Sequence, residues 1–175
     1  MPDFPGVDEW VMPGTLAWYL GCVGIAVGRG ADMASTWIAT PRLELEGNPI
    51  ARWLGWKWGL VLNIVLLPVI ACWPMLAVSL STTSCLVAAR NLQQAWLMRT
   101  MGESRYRCWL AGQILDSSRR VLVFCYLGEA TLVSGLGIVL MLLGPMQVVS
   151  FGMGLGLATY GFVVSIFTLW SLYRT

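Results

Sequence analysis

Apolar residues gather in five long blocks, at about 14–39, 56–80, 82–101, 121–143 and 146–173, and polar residues collect in the short gaps between them. An α-helix needs about 20 residues to cross a ~30 Å hydrocarbon layer, and each block reaches that length. The pattern predicts an all-α polytopic membrane bundle of about five transmembrane helices, a single domain over 1–175. Local signals place the ends. Pro13 suits the start of the first helix. Pro68 and Pro74 remove backbone donors and predict kinks in the second block, and the polar run 79–84 predicts the turn after it. Asp116, Ser117 and Ser118 signal the start of the fourth helix, and Gly144-Pro145 its end, with Gly144 left-handed. Asn48-Pro49 reads as an N-cap with Pro at the first helical position. With Trp53, Trp56, Lys57 and Trp58 it predicts an interfacial segment over about 49–58 that turns inward near Gly55 or Gly59. Residues 105–113 predict a short surface helix whose arginines meet lipid phosphates.

Composition agrees with the pattern. The chain is 57% hydrophobic and only 11% charged, with a mean hydropathy of +0.70, more apolar surface than a soluble domain hides. Met1 to Met12 holds no Lys or Arg, unlike the basic leader of a signal peptide, so the first helix is expected to be retained. Arg42, Arg52 and Lys57 lie between the first two blocks, and Arg99, Arg105, Arg107, Arg119 and Arg120 lie around the gap between the third and fourth. The excess of basic residues in short cytoplasmic loops then orients the bundle N-out and C-in. The net charge of +2, with its basic residues beside apolar runs, offers no footprint for nucleic acid. Histidine is absent, and the five cysteines are scattered singly, so zinc, haem and Ser-His-Asp chemistry are not expected; the thiols read as free and inert.

Candidate chemistry lies in the ionisable residues inside the apolar blocks, since each is costly there unless paired or hydrated. These are Arg29, Asp32, Arg90 and Glu129, joined by Asn63 at similar depth. Arg29, Asp32, Ser35 and Thr36 recur at helical spacing and share a face; Arg90, Asn91 and Gln94 form a second stripe. One reading is a structural network in which Arg29 pairs with Asp32 and Arg90 with Glu129. The other is a polar chamber open to the cytosol that binds an ion, a small solute or a lipid headgroup. In the following loop, Glu44, Glu46 and the amide of Asn48 are oxygen donors that suit Mg²⁺ or Ca²⁺ near Asp32; the competing reading is solvated acids before a helix N-terminus. Gly24-x3-Gly28 and Gly152-x3-Gly156 predict close helix approach within the bundle.

Asp32-x-x-Ser35-Thr36 at the end of one helix, followed by Glu46-x-Asn48-Pro49 before the next, resembles small bacterial inner-membrane proteins of unknown function. The likeness covers the first third of the chain. It implies that Asp32, Thr36, Glu46, Asn48 and Pro49 act together, in a multi-pass protein of the inner (plasma) membrane, and carries no activity. Membrane phosphotransferases acting on CDP-alcohols need several aspartates where this chain has one inside a helix, and no G-x-S-x-G occurs. Three functions stand open: binding or transport of a small solute or ion, divalent-cation-dependent chemistry on lipid headgroups, and an accessory role beside membrane-protein partners.

Overall fold

The computed structural model describes the backbone of residues 9–144 and 147–174 and their side chains up to residue 166. The described residues form six α-helices: α1 (Leu16–Ala39), α2 (Pro49–Ile70), α3 (Pro74–Met101), α4 (Glu103–Asp116), α5 (Arg119–Leu143) and α6 (Val148–Arg174). Four of them, α2, α3, α5 and α6, are long and apolar enough to cross a membrane. Their outward residues are apolar, with Phe124, Leu132 and Leu142 each more than three-quarters exposed, as a surface solvated by lipid requires. α1 has the length, at 24 residues, but carries Arg29 and Asp32 within it and is not one of the four.

α3 lies at the centre, with α1 against one side and α6 against another; α5 packs on α6, and α2 leans on α1. Small residues permit these approaches. A Cβ on Gly28 would come within 2.9 Å of the Ser81 carbonyl oxygen, one on Gly152 within 2.9 Å of Val78 Cβ, and one on Gly156 within 2.7 Å of the Ser79 carbonyl oxygen. Both predicted glycine pairs therefore seat α1 and α6 on opposite faces of α3, inside one chain.

The turn predicted over 79–84 does not form, because those residues are the middle of α3. Hydroxyls of the run bond the preceding turn and the neighbouring helix: Ser81 Oγ donates to the Ala77 carbonyl at 2.6 Å, and Thr83 Oγ1 lies 2.9 Å from the carbonyl oxygen of Ser79 and 3.0 Å from that of Gly156 on α6. The polar run is small-residue packing surface. The break falls earlier, at residues 71–73, and Pro74 starts α3 rather than kinking α2, since a missing N–H costs nothing in the first turn. The second and third helices thus run 49–70 and 74–101, not 56–80 and 82–101. Pro68 stays inside α2.

Other ends refine the expectations. Thr15 caps α1, accepting from the Trp18 N–H at 3.3 Å. Asn48 caps α2, accepting from Ile50 N–H at 3.0 Å, and Gly55, at φ 64°, breaks the helical backbone between its first residues and its long apolar part. Gly144 is extended, at φ −72°, rather than left-handed. Glycine is needed there for space, because a Cβ would collide with the Leu140 carbonyl oxygen. Pro145 lies outside the described residues.

Two hydrogen bonds define the ends of the bundle. Val11 N–H donates to the Cys72 carbonyl at 2.8 Å, so the start of α1 lies with the α2–α3 break. Thr40 Oγ1 donates to Glu103 at 2.6 Å, so the end of α1 lies with the start of α4. Arg42, Arg99 and Arg105 are therefore at one end. At the other, Ile25, Ala71 and Ala77 form a buried apolar cluster packed by Trp18, Leu67 and Leu80.

Candidate functional site: a two-faced cavity beside Arg29, Asp32 and Glu46

Helical spacing puts Arg29, Asp32 and Thr36 on the face of α1 that turns toward α2 and α3. Arg29 Nη1 meets Asp32 Oδ2 at 2.6 Å, its Nε donates to Asn63 Oδ1 of α2 at 2.7 Å, and its Nη1 lies 3.4 Å from Ser84 Oγ of α3. One guanidinium therefore joins three helices. Asn63 returns its amide hydrogens to the Gly59 carbonyl at 2.7 Å. One turn along, Asn91 Nδ2 of α3 donates to Thr36 Oγ1 at 3.0 Å and Ser35 Oγ at 3.4 Å, while Ser35 donates to the Asp32 carbonyl at 2.9 Å. Arg90, beside Asn91, pairs with Glu129 of α5 at 3.0 Å.

These groups form one wall of a cavity of about 530 Å³. Arg29, Asp32, Thr36, Asn63, Arg90 and Asn91 line it from the helices, and Glu46 and Asn48 from the loop. The rest of the lining is largely apolar and aromatic, and includes Leu110 and Ile114 of α4, Tyr126 of α5, and Tyr160, Val163 and Val164 of α6. The loop holds its shape by local bonds, with Glu46 Oε1 accepting from the Asn48 N–H at 2.8 Å and Trp56 Nε1 donating to the Pro41 carbonyl at 2.9 Å.

Which atoms remain available decides what the cavity can recognise. Asn63 is used at both ends, and Arg29 is held by Asp32, Asn63 and Ser84. Arg90 meets Glu129 through Nη1 alone, and Glu46 meets the backbone through Oε1 alone. Among the described residues no fully buried side-chain nitrogen or oxygen lacks a partner, so the remaining donors of Arg90 and the Oε2 of Glu46 are accessible. By the same measure, among the described residues, Arg29 Nη2 and Asp32 Oδ1 carry no bond, so the cavity presents two ion pairs with unused valences, Arg29–Asp32 and Arg90–Glu129, and the carboxylate of Glu46, which among the described residues meets no cation within 4.0 Å.

The sequence-derived candidates divide accordingly. Arg29, Asp32, Thr36, Arg90, Asn91, Glu46 and Asn48 converge on the cavity. Glu129 reaches it only through Arg90 and is itself two-fifths exposed. Gln94 turns away from it, its Oε1 accepting from the Tyr106 hydroxyl of α4 at 2.9 Å. Glu44 also departs, lining a separate pocket and accepting from Ser104 Oγ at 3.2 Å, so the loop set Glu44, Glu46 and Asn48 does not surround one point. Among the described residues no three His, Cys, Asp or Glu side chains gather as a metal cage.

Glu103 escaped the sequence reading. Its carboxylate accepts from Thr40 Oγ1 at 2.6 Å, Arg42 N–H at 2.8 Å and Glu44 N–H at 2.9 Å, closing the loop that carries Glu46 onto α4. Burial alone would push its carboxyl up, but the bonds from Thr40, Arg42 and Glu44, with the charge of Arg42, together outweigh it and hold Glu103 below the usual carboxylate range. The one local signal was an acid directly after Gly102, at the first position of a helix.

Fold and site together define a helical membrane protein with a cavity of mixed polar and apolar lining between its helices. The chain matches no protein-family model, and no curated protein or solved structure matches it.

Proposed function

We propose that this protein is a solute-binding membrane protein whose cavity takes a small zwitterion with an apolar portion. The observation that carries this reading is the presence in one cavity of Arg90, with donors beyond its bond to Glu129, and Glu46, with an unused Oε2, among a lining rich in apolar residues. An anionic group would be held by the guanidinium of Arg90, a cationic group by Glu46 with Asp32 behind it, and the apolar portion by Tyr126, Tyr160 and Val163. Charges in such a place are worth more to a ligand than in water, because the low-polarity surroundings weaken screening.

The same reading takes α1 as a fifth span, with the N-terminus outside and the cavity facing the cytosol of a bacterial inner membrane. Support comes from Arg42, Arg52, Lys57, Arg99, Arg105, Arg107, Arg119 and Arg120, which belong to segments at the cavity end of the bundle. The apolar cluster of Ile25, Ala71 and Ala77 fills the opposite half between α1 and α3. Transport would therefore require α1 to part from α3, whereas binding requires no movement of that cluster.

A thermal-shift screen of the purified protein tests this with four ligand classes: zwitterions, simple amines, simple carboxylates, and Mg²⁺ or Ca²⁺. A specific ligand at ~100 times its Kd stabilises by about 2.7 kcal/mol. Stabilisation by zwitterions above the amine and carboxylate sets supports the reading. Stabilisation by the divalent cations alone returns the site to cation chemistry, and no response in any class overturns it.

A further inference from the structure

Beside the end of α3 lies a second concavity, of about 450 Å³, lined by Arg42 of the loop, Arg99 of α3 and Arg105 of α4. Three elements thus bring three guanidinium groups to one place. All three arginines are exposed, and among the described residues none of them meets a carboxylate within 4.0 Å. Two acids share the lining: Glu103 accepts from the loop donors and feels the Arg42 charge without an ion-pair contact, and Glu44 accepts from Ser104. The acid that would ordinarily complement the first turn of α4 is therefore turned into the loop. No side chain caps that 14-residue helix, and Gly102 and Ser104 at its start line the same concavity. Arg99 is steadied by Trp37, with its guanidinium carbon 5.8 Å from the ring centroid.

We propose that this concavity is a phosphate-binding site, distinct from the zwitterion cavity, that holds the phosphate of an anionic lipid. Arginine's planar fork matches phosphate oxygens in pairs, and free first-turn N–H groups add donors from the backbone. Its place at the end of the bundle that carries the loop, where the lining residue Pro41 accepts from Trp56 Nε1 at 2.9 Å, suits a headgroup entering from the membrane surface.

The probe is the full-length protein in nanodiscs of phosphatidylcholine, with and without one-fifth phosphatidic acid, and with inorganic phosphate as a separate arm. Wild type is compared with a triple variant, R42Q/R99Q/R105Q, and with R119Q/R120Q, which removes two arginines from outside this concavity. Retained lipid is read by native mass spectrometry after detergent exchange, and folding by circular dichroism. Wild type is expected to retain phosphatidic acid at least tenfold better than the triple variant, with R119Q/R120Q close to wild type. Displacement of the lipid by millimolar phosphate supports the site and assigns free phosphate as a competing occupant; resistance to it supports the site and assigns the lipid. Equal loss in R119Q/R120Q, or equal retention in all three proteins, overturns the proposal. Should the triple variant misfold, R105Q alone replaces it, with a threefold loss expected and no loss contradicting the site.

Discussion

Arg29 and Asn63 meet at 2.7 Å, Nε to Oδ1, and this bond ties α2 to a bundle in which α2 buries no residue of its own. The other ties are Trp18 Nε1 to the Pro68 carbonyl at 3.0 Å and Trp56 Nε1 to the Pro41 carbonyl at 2.9 Å. α2 is therefore held by directed polar contacts more than by packing. Removing the Asn63 amide with Asn63→Leu is expected to cost about 1–2 kcal/mol of reversible unfolding stability in bicelles. It should also speed proteolysis in the 40–48 loop. Unchanged stability and unchanged cleavage would show that packing alone holds α2.

The glycines of α1 are not equivalent. A Cβ at Gly28 meets the Ser81 backbone, whereas one at Gly30 meets nothing within 4 Å. Gly28→Val is expected to destabilise by about 1–3 kcal/mol through overpacking, and Gly30→Val to stay within about 0.5 kcal/mol of wild type. Chemical unfolding of both variants in the same detergent checks the contrast.

Much of this architecture is legible in the chain, and the failures have physical causes. The all-helical character of the apolar blocks could be read because runs of that length and composition leave helices as the element that satisfies every backbone group within itself. The intrahelical pair Arg29–Asp32 could be read because both residues sit on one helix, and spacing alone brings them together. The run 79–84 was misread because Ser and Thr signal turns in water, yet between membrane helices they are small residues whose hydroxyls bond the preceding turn. Gln94 and Glu44 were grouped with their sequence neighbours, but the positions of Tyr106 and Ser104 on α4 draw them elsewhere, and no local pattern encodes that. Glu103 was invisible for the same reason, since its partners lie about sixty residues earlier.

Glu103 gives a pH signature. Its carboxyl is held below its ordinary value of 4.5 in the folded chain, so the anion is favoured by folding. Its contribution is then fully present above about 4.5 and is lost as pH falls through the lower, folded value. The melting-temperature gap between wild type and Glu103→Gln is expected to be constant from pH 7 to 5 and to shrink toward pH 3. A gap that widens as pH falls contradicts the loop-closing role.

The central claim is that Arg90 and Glu46 grip opposite ends of one ligand. Glu46→Gln and Arg90→Gln separate the two, and Arg90→Gln leaves behind only a Glu129 already two-fifths exposed. The most direct measurement is calorimetric titration of wild type and both variants with a stabilising zwitterion, its amine-only analogue and its carboxylate-only analogue. The account predicts that both variants weaken the zwitterion at least tenfold, about 1.4 kcal/mol. The amine should be sensitive to Glu46→Gln alone, and the carboxylate to Arg90→Gln alone. Equal affinity of all three proteins for the zwitterion, or the same loss in both variants for every ligand, would contradict it and leave the Arg90–Glu129 pair as a bond between helices.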